Sequence, residues 1–148
     1  MGMIVQRDFD VRVPLETAYG HLARVEAWPT WAKHIRRAAL TPPGALTERS
    51  QGEFVLANGI RSTFRMVEFT PPTGWKWRGP VLWMAVDYDH RFERIGERRT
   101  RLVWTVTATG PGVSVFGRLF GALYARNLDR AIPRLVTEME SADGTDRG

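Results

Sequence analysis

The chain has 148 residues, 43% of them hydrophobic and 25% charged, with no cysteine and a formal net charge of +5. This balance favours neither a disordered nor a fibrous class, and the length fits a single domain over 1–148, with about 142–148 as a frayed tail, burying about 70% of its unfolded surface. Without cysteine there is no disulfide, thiolate nucleophile or cysteine metal site. No apolar run approaches the ~20 residues of a membrane span, and the opening MGMIVQRDFD carries acids where a signal peptide would be apolar, so a cytoplasmic protein without stable membrane insertion is expected.

The basic residues are scattered and nearly all arginine, with lysine only at Lys33 and Lys76. Their densest cluster, ERRTR at Glu97 to Arg101, falls where a hairpin turn is expected, so no nucleic-acid partner is inferred.

From Ile4 to Val13, Val5, Phe9, Val11 and Val13 share one parity while Gln6, Asp8, Asp10 and Arg12 share the other, which predicts a half-buried strand. Pro14 ends it. Leu15, Ala18, Tyr19 and Leu22 then recur at three- and four-residue spacing, predicting a helix over about Leu15 to Arg24. Glu26 to His34 reads as a second short helix with Pro29 in its first turn. Its tryptophans Trp28 and Trp31, three apart, suit a pin that locks the bent helix pair onto the sheet edge.

Between Ile35 and Thr109 the turn signals TPPGAL, ANGI, TPPTG, RGP and RIGER separate about six antiparallel strands. Parity puts Leu82, Met84, Val86, Tyr88, His90 and Phe92 on one face of the longest strand, and Leu102, Trp104, Val106 and Ala108 on one face of the next. Phe54 and Leu56, then Ser62, Phe64 and Met66, then Trp75 and Trp77 are the inner residues of the earlier strands. Ser114 is a plausible N-cap for a long helix to about Ser141, with an apolar stripe of Phe116, Leu119, Phe120, Leu123, Leu128, Ala131, Leu135 and Met139. This helix is the element long enough to cover the apolar face of the sheet.

The stretches VRVPLETAYGHLARVEAWPTWAKHI, VEFTPPTGWKWRG, HRFE and RLVWTVTATGP, in this order along nearly the whole chain, are similar to the START-like (SRPBCC) helix-grip superfamily, which includes the polyketide cyclase/dehydrase and lipid-transport proteins. GERRT departs from the glycine-rich turn common in members, which touches a hairpin and not the interior. The resemblance implies an α+β fold in which a seven-stranded antiparallel sheet wraps around the C-terminal helix. It also implies a cavity between them for a lipid, sterol or polyketide-like molecule.

The inner-face residues offer aromatic walls, thioethers and a few polar tips, the mixture of a small-molecule pocket and equally of a packed core. The candidate ligand-binding set is Trp31, Phe54, Ser62, Phe64, Met66, Trp77, Met84, Tyr88, His90, Trp104, Phe120 and Leu123. His90 and Tyr88 are the candidates for acid–base work, since an imidazole titrates near neutral pH, while the alternative for His90 is a hydrogen-bonded structural histidine. His21, His34 and His90 lie on different elements and no metal-ligand spacing occurs, and neither a phosphate loop nor a dinucleotide fingerprint is present, so no metal and no cofactor are expected. Asp87 and Asp89 fall on the outer face, which argues against a paired-carboxylate mechanism.

Three functions stay open at this stage. The first is a monomeric or homodimeric binding protein for a small apolar molecule. The second is a cyclase, aromatase or dehydratase using the same cavity, and the third is a protein-interaction module with a filled core.

Overall fold

The computed structural model describes residues 2–146, with side chains from residue 4 to residue 141. Strand β1 (Gly2–Val11) leads through α1 (Leu15–Leu22) and a 3-10 helix (Val25–Thr30) into β2 (Ile35–Thr41), β3 (Gln51–Leu56), β4 (Arg61–Thr70), β5 (Gly74–Val81), β6 (Met84–Gly96) and β7 (Arg99–Thr109), and ends in α2 (Val113–Asp146). The seven strands form one antiparallel sheet in the order β1-β7-β6-β5-β4-β3-β2. The long helix lies across it in a helix grip. Helix α2 continues through Asp146, beyond the position where a frayed tail was expected, and residues 147 and 148 lie outside the described ones.

The alternation read from the sequence sets the sheet's faces. Along β7, Thr100, Leu102, Trp104, Val106 and Ala108 are buried, and along β6 Met84, Val86, His90 and Phe92 are buried, because side chains of a strand point alternately to either side. The outer face neutralises its charges locally: Asp87 pairs with Arg78, Asp89 with Arg91, and Asp10 with Arg101.

Helix α2 packs on β1 and only marginally on β7, which glycine makes possible. A Cβ at Gly121 would stand 2.9 Å from the carbonyl oxygen of Ile4, and one at Gly117 would stand 3.1 Å from Ile4 Cγ2. The axis of the helix therefore approaches β1 closely and leaves the middle of the sheet for longer side chains to reach.

Three expectations are corrected. The second short helix is a single stretch of 3-10 helix with Pro29 near its end, closed by the Trp28 indole, which donates to the Leu22 carbonyl at 2.8 Å. Leu82 is not an inner residue of β6 but the apex of the β5–β6 turn, 76% exposed. On α2 the inward stripe is Gly117, Gly121, Leu128, Ala131, Leu135 and Met139 with Phe120 and Tyr124 half-buried, while Phe116, Leu119 and Leu123 face outward. At about 3.6 residues per turn, contact through the glycines forces the neighbouring apolar residues to the far side.

Candidate functional site

Two layers make up the space between sheet and helix. The deeper one, beside α1 and the 3-10 helix, is aromatic and filled. Trp28 stacks on Phe54 at 5.4 Å and lies 5.4 Å from Trp77, Phe64 and Trp77 are 4.1 Å apart, and Trp31 sits 6.1 Å from Trp104. Trp28 and Trp31 are both buried, in keeping with a pin between the helices and the sheet.

His90 stands inside this layer. Its imidazole stacks on Trp75, its cross-strand neighbour, at 4.8 Å, and is ringed by Trp77, Trp28 and Trp104. Burial pushes its pKa down to about 3, partly opposed by a hydrogen bond with the Trp75 backbone. The ring is therefore neutral at physiological pH, because a charged imidazolium would lose its hydration with no carboxylate to replace it. His90 Nδ1 and the indole nitrogens of Trp75 and Trp104 are buried without a hydrogen-bond partner. A buried polar group left in that state costs about 1–3 kcal/mol, so such groups are rare and mark positions of interest.

The second layer faces the N-terminal half of α2 and is more open. Ser62, Met66, Tyr88, Phe120 and Tyr124 point inward yet remain only half-buried, and Phe54, stacked on Trp28, borders the filled layer. Tyr88 of β6 meets Tyr124 of α2 with ring centres 5.7 Å apart, and Phe120 lies 5.7 Å from Tyr124. Burial raises the pKa of both tyrosines, and for Tyr88 the neighbouring Tyr124 adds to the effect, so both hydroxyls stay protonated. They can donate as well as accept.

Of the predicted set, the structure brings Trp31, Phe64, Trp77, His90 and Trp104 into the buried aromatic layer, with Phe54 at its border, and Ser62, Met66, Tyr88 and Phe120 into the half-buried one, while Met84 is buried apart from both at the start of β6. Leu123 is separated from them, 56% exposed on the outward side of α2. Tyr124 and Trp75 were missed as site residues. The signal for Tyr124 was its four-residue spacing from Phe120 and from Leu128, and for Trp75 its two-residue spacing from Trp77.

Two further grooves lie elsewhere. One of about 760 Å³ runs over the outer face past Gln51, Glu53, Arg65 and Arg78 to the β5–β6 turn. Another of about 790 Å³ lies between α1 and the loops, beside Tyr19, Val25, Leu46 and Phe69. Neither includes Tyr88, His90 or Tyr124. Among the described residues no group of three or more His, Asp or Glu side chains could hold a metal ion, and no helix is long and apolar enough to cross a membrane.

Residues 3–140 match the family model described as polyketide cyclase/dehydrase and lipid transport. Among solved structures the chain is similar to TTHA0849 from Thermus thermophilus, at 18% identity and a TM-score of 0.71, covering 93% of this chain and 97% of that one. It is also similar to the Zhui aromatase/cyclase from Streptomyces sp. R1128, at 15% identity and a TM-score of 0.71, covering 92% of both chains. A third is the hypothetical protein jhp0584 from Helicobacter pylori, at 13% identity and a TM-score of 0.74, covering 90% and 86%. No curated protein matches. At these identities the structures establish a shared fold.

Proposed function

Because this chain belongs to the polyketide cyclase/dehydrase and lipid-transport family, we propose that it binds a small, largely apolar molecule with one polar end between the sheet and the N-terminal half of α2. The observation that supports this most directly is the half-open inner layer. Met66 and Tyr88 from the sheet and Phe120 and Tyr124 from α2 turn inward and still keep exposed surface, where a packed core would have closed over them. The apolar body of the ligand would lie against Phe54, Met66 and Phe120. Its polar end would meet the hydroxyls of Tyr88 and Tyr124, with Ser62 at the margin.

The family also supports a cyclase-type reading, but His90 speaks for binding over proton transfer. With its pKa near 3 it is a weak base at neutral pH and holds no proton to give as an imidazolium.

Thermal-shift and native mass-spectrometry screens over fatty acids, sterols and aromatic polyketides test this. At least one class is expected to raise the melting temperature. Ser62→Trp, which fills the open layer from an inner-face position, should abolish that shift with the circular dichroism unchanged, and Tyr88→Phe should weaken a hydroxyl- or carbonyl-bearing ligand about tenfold. Absence of stabilisation by every class, or a shift that Ser62→Trp leaves intact, refutes the reading.

A further inference from the structure

The outward side of α2 has a second pattern that the interior does not use. Val115, Leu119 and Leu123 lie on one stripe, which continues without a break as Arg126, Arg130 and Arg134. At about 3.6 residues per turn all six fall on the same side of the helix, so the stripe is apolar in its first half and basic in its second. Val115 and Leu119 are 68% and 63% exposed.

The apolar half is extended by the neighbouring β5–β6 turn. Trp83 packs edge-on against Phe116 at 4.8 Å, and its indole donates to the Pro111 carbonyl, which ties the turn to the start of α2. Leu82, the most exposed residue of the group, has φ 56°, a left-handed conformation that glycine adopts freely and leucine does not. A strained leucine thus occupies a turn position that favours glycine. The result is one contiguous rim of Leu82, Trp83, Val115, Phe116, Leu119 and Leu123.

We propose that this rim docks reversibly onto an anionic lipid bilayer, its apolar side chains entering the acyl boundary while the arginines behind them meet the headgroups. Three observations select a bilayer. First, Val113 to Leu128 contains no acid, and Arg118, Arg126, Arg130 and Arg134 have no ion-pair partner among the described residues. A second copy of the chain would set two groups of arginines against each other with only Asp129 beside them, which is already paired with Arg7, whereas anionic headgroups supply the missing charge. Second, all six stripe residues fall on one side of α2, so a helix lying in the plane of the interface presents its apolar and basic halves to the bilayer together. Third, a tryptophan with its N–H already bonded and its ring exposed suits the boundary between headgroups and acyl chains. The docking surface lies outside the ligand space and does not depend on what that space holds.

Co-sedimentation with vesicles of phosphatidylcholine, with and without phosphatidylglycerol, tests the proposal. The protein should partition onto the phosphatidylglycerol vesicles and come off as salt rises, since surface charge is screened. Leu119→Ser with Leu123→Ser should reduce partitioning about tenfold or more, and Arg126→Gln with Arg130→Gln about thirtyfold. All four positions are exposed, so the melting temperature should hold. Leu82→Gly should raise the melting temperature while lowering partitioning, which separates docking from folding. The proposal is overturned if the folded protein ignores phosphatidylglycerol vesicles or if neither double variant alters partitioning. It is equally overturned if light scattering shows a dimer that Leu119→Ser with Leu123→Ser splits into monomers, which would make the rim a self-interface.

Discussion

Replacing His90 with leucine should flatten the acid limb of the stability curve. In the fold this imidazole is 6% exposed, enclosed by Trp75, Trp77, Trp28 and Trp104, and its pKa is pushed down to about 3 from the ordinary 6.5. Above pH 6.5 the folded and unfolded chains both hold it neutral, and it contributes nothing to the pH dependence. As pH falls, the unfolded chain takes up a proton near 6.5 that the folded chain refuses until about 3, so stability is lost across that window. At ~1.4 kcal/mol per unit, the loss from this one group between pH 7.5 and pH 4.5 is about 2.7 kcal/mol. His21 and His34, both also shifted down mainly by burial, add to the wild-type slope but are present in both proteins and cancel in the comparison. Glu16, Glu68 and Asp129, held below the usual carboxylate range chiefly by hydrogen bonds, lose their contribution at lower pH in both proteins alike. Urea unfolding from pH 7.5 to pH 4.5 reads the difference directly, and the leucine variant should lose about 2.7 kcal/mol less than wild type. Equal slopes for the two proteins would mean that His90 takes up its proton in the folded state at its ordinary pKa, and the dry aromatic enclosure would be wrong.

Gly121→Ala should cost about 1–2 kcal/mol, since overpacking against the Ile4 backbone at 2.9 Å outweighs the ~1 kcal/mol that alanine gains in a helix. Gly117→Ala meets only the movable side-chain carbons of Ile4 and Val113, at 3.1 and 3.3 Å, and should be near neutral in the same denaturation assay. Thr100→Val should lower stability by about 1–2 kcal/mol at unchanged m-value, because the fully buried Thr100 hydroxyl donates to the Val13 carbonyl at 2.9 Å and the valine would leave that oxygen unpaired.

The strands were legible because parity is a strict code: once Met84, Val86, His90 and Phe92 share a face, their side of the sheet follows, and so does the inward position of a histidine. The long helix was legible as an element but not in its orientation. Between Val113 and Leu128 apolar residues surround it, so periodicity alone offered two stripes, and the choice was made by Gly117 and Gly121 settling against Ile4. That one contact moved Phe116, Leu119 and Leu123 to the outside and brought Tyr124 opposite Tyr88. The dryness around His90 was equally hidden, since it depends on four tryptophans that come from the 3-10 helix, β5 and β7 and meet only in three dimensions. Leu82 read as a strand residue because its apolar character fits the alternation, and only the backbone reveals it as a turn apex.

The two ends of α2 are held by different means, and the difference places both proposals at the same end. From Leu128 onward the helix buries Leu128, Ala131, Leu135 and Met139, and Glu138 and Glu140 reach back to His21, Thr30 and Arg12. Before Leu128 its fully buried positions are the two glycines, which contribute close approach but no side-chain area. The tryptophan cluster lies under α1 and the 3-10 helix, so stability concentrates there, while the half-open inner layer and the exposed rim both belong to the lightly packed end. Segments that admit ligands come from the less stable part of a fold, since a space that must open cannot also be the best-packed part of the core. A helix anchored at its C-terminal half and seated on glycines at its N-terminal half meets that requirement, and it brings the rim and the proposed binding space onto opposite faces of the same three turns.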